Sequence, residues 1–386
     1  MSRKKKLMIF LSVILAIVII KWIWVCCATR YQGSLEKEKK EIYQRQTYLL
    51  DKVVVTDPMR LIDEMPKAVG PQFQGEWALY SCSMLSASLV NTTILYKENQ
   101  ESAIAKIDSL IQIVMSPELR SYDRIRWHED PLESLDGSKS HISYISHLAW
   151  MIGGYKRIGG DGKYDKLYHS LCEAMNRRIL ASSNMNLQTY PGEPVYVPDM
   201  LVAIVALKIY SQQYNGKYAS TVDRWVENAK TTMLDEETGL IASILPNSRS
   251  HKLNIKGSYT ALSCYYLTFI DEEFAQDQYE RFKKYFLQKS PITGFREYHD
   301  RMCWLGMDID VGPILFSLSP TGTAFAVGSV TYFGDNTLRK KLLRTGELAG
   351  FTVSRKGKSH YLLANVALVG EAIMLAMRTA TDWSSN

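Results

Sequence analysis

The chain has 386 residues, 46% of them hydrophobic and 22% charged, with a net charge of +6. These proportions describe an ordinary globular body, and part of the positive excess sits in one N-terminal block, which excludes a disordered chain and gives no case for nucleic acid as a partner. Cys82, Cys172, Cys264 and Cys303 lie far apart without CxxC spacing, so no cysteine-based metal site is expected, and any pairing among them stays open.

The chain begins with a basic block, Ser2-Arg3-Lys4-Lys5-Lys6, followed by the apolar run Leu7 to Ile20 and then Lys21-Trp22-Ile23-Trp24-Val25-Cys26-Cys27. Through Val25 the run reaches the roughly 20 apolar residues that a bilayer-crossing helix needs. Lys21 can snorkel to the far interface, where Trp22 and Trp24 are also at home. Residues 1–28 therefore predict a cytoplasmic basic stub and a transmembrane signal anchor. The protein would be single-pass, with its body periplasmic or at the cell surface. A cleaved signal peptide is the alternative, and Cys26-Cys27-Ala28 is a loose match to a cleavage or lipid-attachment site. In both readings the body is exported.

Glu36 to Val55 is charged at first and then apolar, which predicts a helix leaving the membrane surface. Asp57-Pro58 and the stretch Pro66 to Gly75 form an irregular approach, so residues 29–75 read as a linker with one outer helix. From 76 to 386 the pattern alternates with a long period. Apolar helices rich in small residues are expected at Leu79 to Tyr96, His141 to Ile158, Met200 to Tyr210, Tyr259 to Ile270, Ile314 to Phe333 and Tyr361 to Met377. Amphipathic helices are expected between them, at Glu101 to Met115, Tyr164 to Ala181, Tyr218 to Leu234, Phe274 to Leu287 and Asn336 to Leu348.

Helices that are apolar all round belong inside, and those with one polar face belong outside. The Glu36 to Val55 helix fills the one outer vacancy beside the last inner helix and closes the ring. The expected fold is all-α, an (α/α)6 toroid preceded by one transmembrane helix. Its funnel would open at the end where the loops into the inner helices gather.

Three of those loops carry chemistry-bearing residues. The first runs from Arg126-Trp127-His128-Glu129 to His141, with Tyr144 one turn on and predicted to share its funnel face. His141 fits either a structural polar group or proton transfer, and His147 reads as packing. The second, Thr189-Tyr190-Pro191-Gly192-Glu193-Pro194-Val195-Tyr196-Val197-Pro198-Asp199, holds Glu193, Tyr190 and Tyr196 between prolines and places Asp199 as an N-cap facing the cavity. The third contains Glu297, Tyr298 and Trp304 and ends in Asp308-Ile309-Asp310-Val311-Gly312-Pro313, with Pro313 expected in the first turn of a helix. Asp308 and Asp310, two apart in extended chain, point to opposite sides, and the loop lacks calcium-ligand spacing. Confined acids beside Tyr and Trp suit general acid/base chemistry or sugar binding. No Walker loop, dinucleotide fingerprint or HExxH occurs, so no cofactor and no metal are expected.

The run Tyr190-Pro191-Gly192-Glu193-Pro194 with Asp199, together with His141-Ile142-Ser143-Tyr144 and Asp308 to Pro313, resembles the linalool dehydratase-isomerase type of (α/α)6 protein. That resemblance implies an exported, cofactor-free hydro-lyase or isomerase that removes a hydroxyl from a small, partly apolar alcohol. In that family the loop before the third inner helix carries two cysteines. Here Gly192 and a position near Asp199 stand in their place.

The expected catalytic groups are Asp199, His141, Glu193, Asp308 and Glu297. Tyr144, Tyr190, Tyr196, Trp304, Asp310, Tyr298 and His128 are the expected substrate-binding groups. A carbohydrate-active enzyme of the six-hairpin type, acting through paired carboxylates, is the alternative. A non-catalytic surface binding protein is the third reading. The partners expected are a small-molecule or glycan substrate and the bilayer around the N-terminal helix, with a homo-oligomer left open.

Overall fold

The computed structural model describes residues 3–54, 57–246, 253–308 and 311–384, and over them the chain is mostly helical. Helix α1 (Arg3–Ala28) is the N-terminal apolar run, uninterrupted by Pro or Gly, and it is long and apolar enough to cross a membrane. Most of its side chains are exposed. Its C-terminal end meets the body, where Trp24 stacks on Phe351 with ring centroids 4.5 Å apart and donates through Nε1 to Glu347 at 3.1 Å. Val25 is buried there, and the Lys21 ammonium lies 4.2 Å from the centroid of the Phe351 ring. Lys21 and Trp24, expected at a membrane interface, thus lie against the protein.

The other elements follow in order: α2 (Leu35–Val53), α3 (Pro58–Asp63), α4 (Pro71–Tyr96), α5 (Gln100–Met115), α6 (Pro117–Trp127), α7 (Ile142–Arg157) and α8 (Asp165–Ala181). Next come α9 (Val197–Gln213), α10 (Ala219–Thr232), α11 (Gly257–Leu267) and α12 (Glu272–Phe286). Strands β1 (Leu287–Gln288), β2 (Gly294–Phe295), β3 (Leu305–Asp308) and β4 (Gly312–Leu315) lead to α13 (Pro320–Tyr332) and α14 (Asn336–Gly350). The chain ends with β5 (Thr352–Arg355), β6 (Lys358–Tyr361) and α15 (Leu368–Arg378). Helix starts follow local chemistry: Ser116, Asp271, Ser319 and Asp335 each accept a hydrogen bond from the amide three residues on. Helix α4 passes the same length and composition test as α1, but it is buried and belongs to the core.

The helices predicted to be apolar all round pack in chain order: α4 on α7, then α9, α11, α13 and α15, and α15 returns to α4. The amphipathic helices lie against this series. Helix α5 packs on α4 and α7, α8 on α7 and α9, α10 on α9, α12 on α11 and α14 on α13, while α2 packs on both α15 and α4.

Three expected boundaries are corrected. The helix placed at Leu79, after an irregular approach to Gly75, begins at Pro71. The helix placed at Ile314 begins at Pro320, and the one placed at Tyr361 begins at Leu368; antiparallel hairpins β3–β4 and β5–β6 occupy the residues before them. Pro313 therefore sits in β4 opposite Met307, where an edge strand tolerates a missing N–H. Ser319-Pro320 is the stronger helix start, with a capping hydroxyl and a proline in the first turn.

The approaches to successive inner helices are bonded to one another. Val197 N donates to Ser243 O at 3.0 Å, Gly257 N to Glu297 O at 2.9 Å and Ser319 N to Phe295 O at 2.8 Å. Thr345 Oγ1, on α14, donates to Thr293 O at 2.6 Å. The contact at Gly257 is so close that a Cβ there would sit 1.9 Å from the Arg296 carbonyl oxygen, so only glycine fits.

Toward the other ends of the inner helices the axis is filled by aromatic rings. Trp150 stacks on Trp383 at 5.9 Å, and Phe269 meets Trp383 edge-on at 5.2 Å. The Trp383 indole donates to Asn91 Oδ1 at 2.6 Å, so the C-terminal tail plugs this end of the molecule. All six cysteines are free thiols, and Cys82, Cys172 and Cys264 are buried.

Candidate functional site

Asp199 lies in the first turn of α9, inside the helix, and not at its N-cap, which is Tyr196. The prolines around it and the pairing of Val195 and Val197 with residues 243–245 leave this approach little freedom. Asp199 is 8% exposed. Oδ2 accepts from Thr189 Oγ1 at 2.6 Å and Oδ1 from the Tyr80 hydroxyl at 3.4 Å. Burial first, and then the Asp199 charge, push the Tyr80 phenol well above its ordinary pKa, so it stays protonated. Tyr266, Glu76 and Tyr259 are also near enough to act on it.

Below Tyr80 sits His147, with ring centroids 4.4 Å apart. Its Nδ1 is 3.0 Å from Ser83 Oγ, and that hydroxyl donates in turn to the Tyr80 carbonyl oxygen at 3.2 Å. With that hydroxyl donating to the carbonyl, Ser83 accepts from His147 Nδ1, and the tautomer so assigned leaves a lone pair on Nε2. Nε2 is buried and has no hydrogen-bond partner among the described residues. Burial lowers the imidazole pKa from 6.5 to about 3.

The lowered pKa of His147 has a consequence for stability. Between about pH 6.5 and 3 the unfolded state binds a proton that the folded state does not, so stability falls as pH falls through this window. The slope approaches ~1.4 kcal/mol per pH unit where that difference is one full proton. His147→Gln is expected to flatten the acid limb of a denaturation series by that amount. Superimposable limbs for the two proteins would rule this titration out.

A second cluster lies at the start of α11. Glu297 is buried, accepts from Ser258 N at 3.1 Å and Ser258 Oγ at 3.0 Å, and so caps the helix. Burial raises its pKa above the ordinary carboxyl value. Lys256 pairs with Asp308 at 3.0 Å and lies 5.5 Å from the centroid of the Tyr259 ring, which meets Tyr196 edge-on at 5.9 Å.

Other expected site residues are placed differently. His141 is buried and bonded to Asp123 on α6 and, at 3.1 Å, to Glu129, while the Tyr144 hydroxyl donates to Val114 O on α5 at 2.9 Å. Both therefore face the outer layer. Glu193 pairs with Arg126 at 2.7 Å, and the same guanidinium covers the Tyr190 ring at 4.1 Å. His128 is exposed at the C-cap of α6, Trp304 is exposed on β3–β4, and Tyr298 lies under Arg301. Asp310 lies outside the described residues.

Tyr80 and His147 escaped the reading of the sequence. The available signal was spacing: His147, Trp150 and Gly154 recur at helical intervals on one face of α7, and that face meets Trp383 and Tyr266. Among the described residues no three His, Cys, Asp or Glu side chains are grouped to hold a metal ion. No protein-family model matches the chain, and no curated protein matches it.

Proposed function

We propose that the chain is a membrane-tethered (α/α)6 protein with acid/base activity of the hydro-lyase or isomerase type, acting without a cofactor on a small, partly apolar alcohol. In this reading α1 is an uncleaved single-pass anchor, its basic start is cytoplasmic and the body is extracytoplasmic. The observation that carries the activity is the buried Asp199 carboxylate bracketed by the Thr189 and Tyr80 hydroxyls, above a neutral imidazole with an unpartnered nitrogen.

Dehydration needs one proton delivered and one removed. The Tyr80 phenol gives its proton to the substrate hydroxyl, the C–O bond breaks and water leaves. The Asp199 carboxylate takes a proton from the adjacent carbon, the C–H electron pair becomes the double bond, and Asp199 passes that proton back to the Tyr80 oxygen along their hydrogen bond. The proton count closes without an oxidant or reductant, and buried groups held by hydrogen bonds favour charge moving between fixed positions. Glu297 is committed to the α11 N-terminus and Asp308 to Lys256, so the paired-carboxylate glycosidase reading ranks second.

The test is turnover of a panel of allylic and tertiary alcohols by the full chain, with alkene and water as products. Asp199→Asn is expected to lose about 10²–10⁴-fold in rate while keeping its helical circular-dichroism signal and unfolding midpoint. A folded wild-type chain inert toward the whole panel, or an Asp199→Asn variant as fast as wild type, would overturn the reading in favour of a glycan-acting or binding protein.

A further inference from the structure

The β3–β4 hairpin has an inverted pattern. Leu305 pairs with Leu315 and Met307 with Pro313, so all four share one face, and that face points to solvent. Leu305 is 78% and Met307 77% exposed, and Trp304 beside them is 64% exposed. The other face carries buried Ile314 and Asp308, the partner of Lys256, toward the candidate site. A second exposed apolar group, Leu362, Leu363 and Val366, lies in and just after the 3₁₀ turn Leu362–Asn365 that follows β6.

The second group packs on α14, the helix on which α1 docks, and the first is tied to that helix through its approach. Trp24 docks on Glu347 and Phe351 at the C-terminal end of α14. Thr345, in the same end of α14, holds Thr293 in the approach that carries β3–β4, and β5, β6 and the Leu362–Asn365 turn continue directly from α14. Exposed Arg301, and Arg355 and Lys356 at the β5–β6 turn, add cations suited to anionic headgroups.

We propose that this end of the molecule rests on the lipid bilayer that holds α1, with the β3–β4 hairpin inserted at the headgroup level. The proposal depends on the reading of α1 as a membrane span. It takes the bilayer as the occupant because the Leu362–Asn365 turn packs on α14, the helix on which α1 docks, and the approach that carries the hairpin is bonded to that same helix. A bare apolar hairpin face with a tryptophan at its edge is the composition of an interfacial segment.

The test uses the full chain with Cys26, Cys27 and Cys303 replaced by serine, in nanodiscs of phosphatidylcholine and phosphatidylglycerol. Spin labels are placed one at a time through Leu305→Cys, Met307→Cys, Ile17→Cys on α1 and Asp223→Cys on α10. The collision ratio of oxygen to a water-soluble nickel chelate is expected to rise several-fold at 305, 307 and 17 relative to 223. Water-like ratios at 305 and 307 with a lipid-like ratio at 17 would overturn the docking and leave the anchor standing. A water-like ratio at 17 would overturn both. Labels at 305 and 307 shielded from both relaxants and broadened by spin–spin coupling would assign the face to a second copy of the chain, and so also overturn the docking.

Discussion

Replacing Glu371 with alanine is expected to destabilise the fold by about 3–5 kcal/mol, because it leaves a buried guanidinium without its main counter-charge. Arg45, on α2, is 1% exposed and pairs through Nη1 with Glu371 on α15 at 2.6 Å. The same guanidinium bonds Glu41 through Nε and Thr352 Oγ1 through Nη2 at 2.7 Å, and lies 4.1 Å from the centroid of the Tyr361 ring. Glu371 also accepts from Tyr361 N at 2.7 Å. Arg378, at the end of α15, pairs with Glu41 at 2.7 Å. Burial alone would raise the Glu41 carboxyl, but Arg378 and Arg45 overcome it and hold its pKa below the ordinary value. A depressed carboxyl pKa contributes stability above the unfolded value and loses it as pH falls from there toward the folded one, so this seam should weaken only below the ordinary carboxyl range, later than the His147 titration begins. Denaturant unfolding followed by circular dichroism reads the loss. The paired change Arg45→Met with Glu371→Leu is expected to recover most of it, since removing both charges removes the desolvation cost as well. A single Glu371→Ala variant within about 1 kcal/mol of wild type would show that the network contributes no more than surface pairs do.

That network joins the first outer helix to the last inner one, and the sequence announced the join without announcing its means. Helix α2 was legible from a charged stretch giving way to an apolar one, and its place beside α15 followed from counting inner against outer helices. Arg45 and Glu371, some 300 residues apart in the chain, carry no local sign that they meet. Periodicity speaks for one helix at a time, and a buried ion pair is a property of two. The hairpins before α13 and α15 were missed for a related reason: each strand is four residues or shorter, too brief for alternation to stand out from apolar helix, and Pro313 has two good uses.

The site was legible where the chain is stiff and illegible where it depends on rotation. Asp199 stood out as an N-cap acid at the start of an inner helix, and it lies in the first turn of that helix, buried between hydroxyls. His141 and Tyr144 were assigned to the inner face by spacing alone. Spacing fixes which residues share a face but not which way that face turns, and the whole helix was read about a third of a turn out of phase. The face carrying His147, Trp150 and Gly154 is inside, which makes the histidine taken for packing the one beside Tyr80.

Trp383→Ala is expected to cost about 3–5 kcal/mol, the range for emptying a large aromatic site, and to change access to the interior as well as stability. Trp383 is buried although only three residues of the sequence follow it. Its indole sits between Trp150, Phe269 and the face of Gly154, where a Cβ would come within 3.0 Å of the indole. Phe269 and Trp383 also wall a surface pocket of about 230 Å³ shared with Lys208, Glu272, Tyr332 and Asp382. Taking away the indole would extend that pocket inward to Trp150 and Gly154. Added indole should then raise the unfolding midpoint of Trp383→Ala, because an apolar cavity of the right shape binds the fragment that was removed, and binding to the folded state alone stabilises it. Wild type, with its plug in place, should show no such rise. If the variant loses its stability and indole restores none of it, the tail would be holding the helix ends together through Asn91 and Arg157 rather than sealing the axis.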